Sequence, residues 1–192
     1  MSNKGAWNGV YAQVAQARQV DGEDTTAIMA AEFLKDCATV ADWGCGWGGF
    51  KTHICSSQEY IGIDGSNSPY ADVIADLEEY TVPTEGILLR HVLEHNLNYE
   101  KILANAVAAC TRKLCVVIST PFNPDRVKII QTYDNYFGAG QAVHDLSLPS
   151  RDIMRYLSDC VVELKFGIKT TTQYGEEHIF FARKKDSLPK HR

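Results

Sequence analysis

The stretch VADWGCGWGGF, Val40 to Phe50, contains the residues best suited to hold a ligand. Its glycines at positions 44, 46 and 49 match the spacing G-x-G-x-x-G. Glycine is needed where the backbone turns with positive φ or lies directly against a ligand. Between a strand and a helix, such a loop offers backbone N–H groups and the positive end of the helix dipole. A diphosphate and a carboxylate would both satisfy this loop, so the loop alone does not identify the ligand.

Three aspartates each end a predicted strand near this loop. Asp42 ends TVADWG, and its charge would repel a diphosphate but attract a cation. Asp64 ends YIGIDG, 20 residues beyond Gly44, where a carboxylate accepts hydrogen bonds from ribose hydroxyls. Asp76 ends DVIADL and could accept a hydrogen bond from the amine of adenine, while the Leu77 N–H donates another. Simpler roles stay open: Asp42 held by the loop's own N–H groups, and Asp76 acting as a helix cap.

Strand and helix patterns alternate along most of the chain. The predicted strands are TVADWG, YIGIDG, DVIADL, GILLRHV and KLCVVISTPF, and the predicted helices are TTAIMAAEFLKDC, GFKTHICSS, YEKILANAVAACT and SRDIMRYLSDC. Two consecutive strands, VVELKFGIKTTTQ and EEHIFFARK, close the chain around a turn at Gly175. Alternation predicts a doubly wound, mostly parallel α/β sheet with helices on both faces, to which the final hairpin adds an antiparallel strand. A simple dinucleotide-binding domain would not need that hairpin.

The composition is that of one globular domain, with 192 residues of which 45% are hydrophobic and 22% charged. No apolar run approaches the ~20 residues that cross a bilayer, and the N-terminus lacks the apolar segment of a secretory signal. The six cysteines include no C-x-x-C pair, which argues against a metal such as zinc and favours a reduced, cytoplasmic setting. A net charge of −5 argues against a nucleic-acid partner, because phosphates usually need a basic face.

With the glycine loop and three acidic strand ends, the chain from about Asp24 to Lys185 resembles the class I S-adenosylmethionine-dependent methyltransferases. The matching motifs are VADWGCGWG, YIGIDGS, VIADLE and ILLRHVLEH, followed by HDLSLPSRDIMRYLSD and YGEEHIFFARK. The phrase VLEH is typical of a branch that includes many small-molecule methyltransferases. The resemblance implies a Rossmann-like sheet of seven strands whose last strand is antiparallel. It also implies S-adenosyl-L-methionine as cofactor and S-adenosyl-L-homocysteine as product.

The resemblance implies cofactor contacts from the loop, from the acidic strand ends and from the end of the fourth strand, at Asp42, Gly44, Cys45, Gly46, Trp47, Asp64, Gly65, Asp76, Leu77, Arg90 and His91. Trp47 would wall one side of the cofactor pocket, and Trp43 would pack under the loop. Arg90 departs from the branch, which often has a small residue there. A cation so near a sulfonium needs a reason, and one hypothesis is that Arg90 turns towards an acidic substrate.

Histidines are the natural candidates for a general base because they titrate near neutrality. His144, beside Asp145, and His91 are the candidate catalytic residues, whereas His95 is expected to bond nearby backbone and His178 to have no catalytic role. The chain lacks the Asp/Asn-Pro-Pro-aromatic motif and the Pro-Cys pair of nucleobase methyltransferases. A small molecule with an oxygen or nitrogen acceptor is therefore the expected substrate.

We expect a single methyltransferase domain over residues 1–192, with an N-terminal lid (1–23), a substrate-covering insertion (123–150) and a flexible basic tail (186–192). Several aromatic residues would form the lid: Trp7, Tyr11, Tyr133, Tyr136 and Phe137. Three alternatives stay open, namely a nicotinamide-dependent oxidoreductase, a non-catalytic scaffold that holds the cofactor, and methylation of a protein or nucleic acid with a partner subunit. No membrane association is expected, and nothing in the sequence indicates an oligomeric state.

Overall fold

The structure, a computed structural model, describes residues 7–9, 11, 24–135 and 142–187. Seven strands form its central sheet: β1 (Thr39–Trp43), β2 (Glu59–Asp64), β3 (Val73–Ile74), β4 (Thr84–Arg90), β5 (Cys110–Ile118), β8 (Cys160–Lys169) and β9 (Glu176–Lys184). Their order in the sheet is β3-β2-β1-β4-β5-β9-β8. The first five strands are parallel, and β9 is antiparallel to both of its neighbours. This arrangement confirms the expected sheet and its antiparallel last strand.

Helices cover both faces of the sheet, as the alternation of strands and helices predicts. Helix α1 (Thr25–Leu34) packs on one face, and α2 (Tyr99–Ala109) and α3 (Ser150–Tyr156) pack on the other. Strand β4 shows the division residue by residue, because successive side chains of a strand point to opposite faces. Leu88 joins the cluster under α1, whereas Ile87 and Leu89 join the cluster under α2.

Three elements differ from the sequence-based expectation. GFKTHICSS forms only a short 3-10 helix, Gly49–His53, before the backbone becomes extended at Ile54. The third strand has two residues rather than six. A separate hairpin of β6 (Lys128–Tyr133) and β7 (Val143–Ser147) lies within the segment 123–150, for which the sequence predicts no strand. Most residues of β6 are exposed, so this strand has no alternating hydrophobic pattern to reveal it.

Five of the six cysteines are buried, and none of the six forms a disulfide. Burial raises the thiol pKa of each of the five: Cys37, Cys45, Cys110, Cys115 and Cys160. Cys55 is exposed, and its hydrogen bond with Ser57 lowers its pKa. Among the residues that the structure describes, no helix is long and apolar enough to cross a membrane.

Candidate active site

A cavity of about 830 Å³ opens where the parallel strands β1, β2 and β4 end. The order of the strands reverses between β1 and β4, and ligands of open α/β sheets bind at such a point. We call one side of the cavity the glycine-loop half, formed by residues 42, 44–49, 64–66 and 76–78. The other side, the hairpin half, is formed by Trp7, His95, Asn96, Tyr133, Val143, Asp145 and residues 171–174.

All eleven residues proposed for cofactor binding line this cavity: Asp42, Gly44, Cys45, Gly46, Trp47, Asp64, Gly65, Asp76, Leu77, Arg90 and His91. Trp43 does not line it. Its side chain is fully buried and meets the Tyr80 ring edge-on at 5.3 Å, consistent with packing beneath the loop. The candidate base His144 is not among the lining residues either.

The loop requires glycine at particular positions. Gly44 has a φ of +78°, and a Cβ there would lie 2.5 Å from Cγ2 of Val92. Gly48 has a φ of +69°, and a Cβ there would lie 2.9 Å from Cβ of Tyr70. Gly49 is different, since a Cβ at that position would meet nothing within 4 Å. Only part of the glycine pattern is therefore a steric requirement.

The backbone N–H groups of the loop are already engaged, contrary to the expectation that they are available to an anion. The N–H groups of Gly44 and Cys45 both donate to the carbonyl of Ile63, at 2.7 and 3.0 Å. Gly46 N–H donates to Oδ2 of Asp64 at 3.0 Å, and Gly48 N–H donates to the Cys45 carbonyl at 2.8 Å. A diphosphate would find few donors here, because the Ile63 carbonyl, the Asp64 carboxylate and the Cys45 carbonyl accept these hydrogen bonds.

Asp42 is buried, with 4% of its surface exposed, and lines the cavity. The Tyr60 hydroxyl donates to its Oδ2 at 2.9 Å. Burial raises the pKa of Asp42 to about 7, against the opposing effects of the Tyr60 hydrogen bond and the Arg90 charge. The loop N–H groups therefore do not hold Asp42, and its negative charge at neutral pH is only partly formed until a cation approaches.

Asp64 is the carboxylate that holds the loop. Its Oδ1 accepts the Ser66 N–H at 2.8 Å, and its Oδ2 accepts both the Gly46 N–H and the Tyr11 hydroxyl, the latter at 3.3 Å. Burial raises its pKa, and these hydrogen bonds oppose that change. Further along this half, Oδ1 of Asp76 accepts the Glu78 N–H at 3.0 Å, which shapes the turn after β3.

Aromatic rings connect the two halves of the cavity. The Tyr11 ring meets the Trp47 ring edge-on at 5.0 Å, and Trp47 in turn lies 6.4 Å from Tyr70. On the other side, Trp7 lies 6.4 Å from Tyr11 and 6.0 Å from the His95 ring. Tyr133 also lines the cavity. The remaining two residues of the expected aromatic lid, Tyr136 and Phe137, lie outside the described residues.

Arg90 has an acidic partner within the protein. Its Nε donates to the Thr26 hydroxyl at 3.2 Å, and its Nη2 lies 3.4 Å from Oε1 of Glu177. The Thr26 hydroxyl donates to the other carboxylate oxygen of Glu177, Oε2. The same Oε1 lies 3.0 Å from Nε2 of His91, whose φ is +55°. Burial would raise the pKa of Glu177, but His91, Arg90 and Thr26 together lower it. The sequence alone did not single out Glu177 as the residue that balances Arg90.

A histidine–aspartate pair lies in the hairpin half. Nδ1 of His95 lies 3.1 Å from Oδ1 of Asp145, and both residues line the cavity. The hydroxyls of Tyr174 and Tyr133 lie 2.8 and 3.0 Å from Oδ2 of the same aspartate. Burial would lower the pKa of His95, but Asp145 and Glu94 raise it above the ordinary value. Burial would raise the pKa of Asp145, but the hydrogen bond and charge of His95 lower it.

His144 lies in β7 between two lining residues, Val143 and Asp145. Because alternate side chains of a strand face opposite ways, His144 turns from the cavity. Its Nδ1 lies 3.0 Å from the Thr132 hydroxyl on β6. Asp145 therefore pairs with His95 rather than with His144, its neighbour in the chain. Among the described residues, no group of three His, Cys, Asp or Glu side chains could hold a metal ion.

Solved structures with a similar fold have low sequence identity to this chain. A 1,6-didemethyltoxoflavin-N1-methyltransferase from Burkholderia thailandensis, with S-adenosylhomocysteine bound, is 15% identical at a TM-score of 0.59 and covers 83% of this chain and 76% of its own. The magnesium protoporphyrin IX methyltransferase of Synechocystis PCC 6803 is 17% identical to this chain and has a TM-score of 0.58. The match covers 84% of this chain and 83% of that one. The [4+2]-cyclase SpnF is 14% identical to this chain and has a TM-score of 0.56, and the match covers 84% of this chain and 80% of that one.

No protein-family model and no curated protein sequence matches the chain. The cyclase among the similar structures illustrates that a fold can host different reactions, so activity must be argued from the site. The fold is indicated both by the strand order with its antiparallel last strand and by the similar structures. This chain has the Rossmann-like fold of the class I S-adenosylmethionine-dependent methyltransferases.

Proposed function

We propose that the protein binds S-adenosyl-L-methionine and transfers its methyl group to an oxygen or nitrogen atom of a small molecule. The observation that carries this proposal is that the glycine loop has its N–H groups already hydrogen-bonded and lies beside two carboxylates. Its N–H groups at Gly44, Cys45, Gly46 and Gly48 donate within the protein, while the carboxylates of Asp42 and Asp64 line the same half. Such a site suits a cationic ligand and disfavours the diphosphate of a nicotinamide cofactor.

Each strand end would contact a different part of the cofactor. Asp42 would attract the ammonium and sulfonium charges, and Asp64 would accept hydrogen bonds from the ribose hydroxyls beside Gly65. Asp76 and Leu77 would contact the adenine. The proposed contacts of the methionine portion and of the pocket wall come from the rest of the lining set, Gly44, Cys45, Gly46, Trp47, Arg90 and His91.

The pair formed by His95 and Asp145 is our candidate for the general base. The cofactor supplies an activated methyl group, so the protein's remaining tasks are to align the acceptor and to remove its proton. Asp145 would orient the His95 imidazole through Nδ1 and stabilise the positive charge that His95 gains when it takes a proton. His95 replaces His144 in this role because His144 is not part of the cavity lining. His91, paired with Glu177, is better placed to hold the end of β4.

A small acceptor suits the enclosed hairpin half, since the whole cavity of about 830 Å³ falls within the range for small-molecule sites, about 300–1,000 Å³. We propose that residues near the N-terminus act as a lid, because Trp7 and Tyr11 contact both halves. The hairpin within 123–150 would cover the acceptor. The six unpaired cysteines favour a reduced, cytoplasmic setting.

Calorimetric titration of the purified protein with S-adenosylhomocysteine, and in parallel with NADH, tests the cofactor. We expect micromolar binding of S-adenosylhomocysteine, no binding of NADH, and loss of the former in Asp64→Ala. Glu59→Ala is the matched control, since Glu59 begins the strand that Asp64 ends and is exposed. Binding of NADH alone would indicate that the glycine loop binds a dinucleotide instead. Binding of neither ligand would contradict the proposed cofactor.

A further inference from the structure

Asp64 already accepts hydrogen bonds from several groups of the protein. Its Oδ1 accepts the Ser66 N–H at 2.8 Å, and its Oδ2 accepts the Gly46 N–H at 3.0 Å and the Tyr11 hydroxyl at 3.3 Å. The Gly65 N–H also donates to this carboxyl and lowers its pKa. Because a carboxylate has about four acceptor positions, these donors fill them. A ligand hydroxyl that binds Asp64 must therefore replace one of these donors.

The donor that a ligand can replace most readily is the Tyr11 hydroxyl. The other donors are backbone N–H groups of the turns after β1 and β2, and they cannot leave Asp64 unless those turns change shape. Tyr11 is a side-chain donor that lies 53 residues from Asp64 along the chain and belongs to none of the strands. At 3.3 Å its hydrogen bond is also longer than those of the Gly46 and Ser66 N–H groups.

The Tyr11 hydroxyl lies over the glycine loop as well as beside Asp64. Among the described residues, the atom nearest to the position of a Cβ at Gly46 is this hydroxyl oxygen, at 3.6 Å. The Tyr11 ring meets the Trp47 ring edge-on, and both rings line the cavity. Only 6% of the Tyr11 surface is exposed. The hydroxyl therefore lies between the loop and Asp64, where the proposed contacts with the ribose would form.

Resting on the proposed function, we infer that Tyr11 competes with the cofactor for Asp64. Its hydroxyl holds the position on Oδ2 that a ribose hydroxyl takes when S-adenosylmethionine binds, so binding exchanges one hydroxyl for the other. The affinity is lower than that of a site without this contact, because only the fraction of molecules with Tyr11 displaced can bind the ribose. When S-adenosylhomocysteine leaves, Tyr11 returns to the carboxylate, and the restored hydrogen bond favours release of the product.

Tyr11→Phe tests this inference, because it removes the competing hydroxyl and keeps the ring. In calorimetry we expect S-adenosylhomocysteine to bind this variant about fivefold more tightly than the unmodified protein, the ratio that corresponds to one hydrogen bond. Tyr70→Phe is the matched control, since it removes a hydroxyl from another ring beside Trp47 and should leave the affinity within about twofold. Unchanged or weaker binding to Tyr11→Phe would overturn the inference.

A pair of nucleosides tests whether the exchange takes place at the ribose. Adenosine carries both ribose hydroxyls, whereas dideoxyadenosine carries neither. We expect Tyr11→Phe to bind adenosine about fivefold more tightly than the unmodified protein does. Its affinity for dideoxyadenosine should stay within about twofold of the unmodified value, because this nucleoside does not need Asp64. An equal gain for both nucleosides would overturn the inference, since the Tyr11 hydroxyl would then obstruct the site without competing for the carboxylate.

A replacement with the opposite effect keeps the inference testable if Tyr11→Phe does not fold. Fluorotyrosine in place of Tyr11 has a more acidic hydroxyl and so donates a stronger hydrogen bond to Asp64, measured at a pH where that hydroxyl is protonated. We expect S-adenosylhomocysteine to bind this protein more weakly, by about twofold or more. Equal or tighter binding would contradict the competition. If S-adenosylhomocysteine bound none of these proteins, the proposed function would fail as well, whereas equal binding to all of them would contradict the competition alone.

Discussion

The two halves of the cavity are built in different ways. The glycine-loop half comes from short turns that directly follow consecutive parallel strands. The hairpin half brings together His95, Tyr133, Asp145 and Tyr174, which belong to four separate segments of the chain. The first half depends on local backbone geometry. The second depends on packing between distant elements.

The largest effect is expected from a substitution that disrupts the glycine-loop half and leaves the hairpin half in place. In Gly44→Ala the new methyl group meets Val92, and a positive φ costs alanine about 1–2 kcal/mol by itself. We expect S-adenosylhomocysteine affinity to fall by more than about a hundredfold and the free energy of unfolding to fall by about 2 kcal/mol or more. Calorimetry and urea denaturation measure the two effects. Gly49→Ala is the control, because its Cβ has open space, and an equal loss in both variants would disprove the steric argument.

The next effect should be confined to the hairpin half. Asp145→Asn removes the carboxylate that raises the pKa of His95, and we expect that pKa to fall. Titration of the His95 imidazole signals by NMR measures this change in pKa. The affinity for S-adenosylhomocysteine should stay within about twofold of the unmodified protein, because the two halves are built independently. A large loss of that affinity would show that the halves are coupled.

A smaller effect is expected in the pH dependence of S-adenosylmethionine affinity, which tests the role of Asp42 in the glycine-loop half. Because burial raises the pKa of Asp42 to about 7, about nine tenths of this carboxyl is protonated at pH 6. Affinity for S-adenosylmethionine should therefore rise about tenfold between pH 6 and pH 8, with proton release on binding. Asp42→Asn should abolish this dependence in calorimetry. A flat profile in the unmodified protein would remove Asp42 from the cation site.

The raised pKa of Asp42 also makes the stability of the fold depend on pH, and stability should fall with rising pH where ligand affinity rises. The folded protein holds the Asp42 proton more tightly than the unfolded chain does, so this group favours folding below pH about 4, and its contribution is lost as pH rises through about 7. Denaturation of the ligand-free protein should thus show a loss of stability between these pH values that is reduced in Asp42→Asn.

The smallest effect comes from Tyr60→Phe. The Tyr60 hydroxyl lowers the pKa of Asp42, and one hydrogen bond of about 1 kcal/mol corresponds to somewhat less than one pH unit. The midpoint of the binding profile should move to higher pH by that amount while the affinity at pH 9 stays the same. A shift to lower pH would contradict the hydrogen bond. This substitution leaves the hairpin half untouched.

The sequence was enough for the type of sheet and for the set of residues that line the glycine-loop half. Positive φ at Gly44 and acids at strand ends are local requirements, and they leave a readable pattern near one another in the chain. The β6–β7 hairpin was not predictable, because β6 is mostly exposed and lacks alternation. The partner of Asp145 was not predictable either. The choice between His144 and His95 depends on which face of β7 meets the cavity, and that is set by long-range packing.

The distribution of the cysteines also makes the protein convenient to observe in solution. At neutral pH an alkylating dye reacts with thiolates, so the five buried thiols should stay unmodified while Cys55 takes a single label. Cys55 lies in the turn before β2, at the amino ends of the strands, whereas the cavity lies at their carboxyl ends. A fluorophore attached there can report ligand-driven changes through polarisation or energy transfer from Trp47 without entering the site.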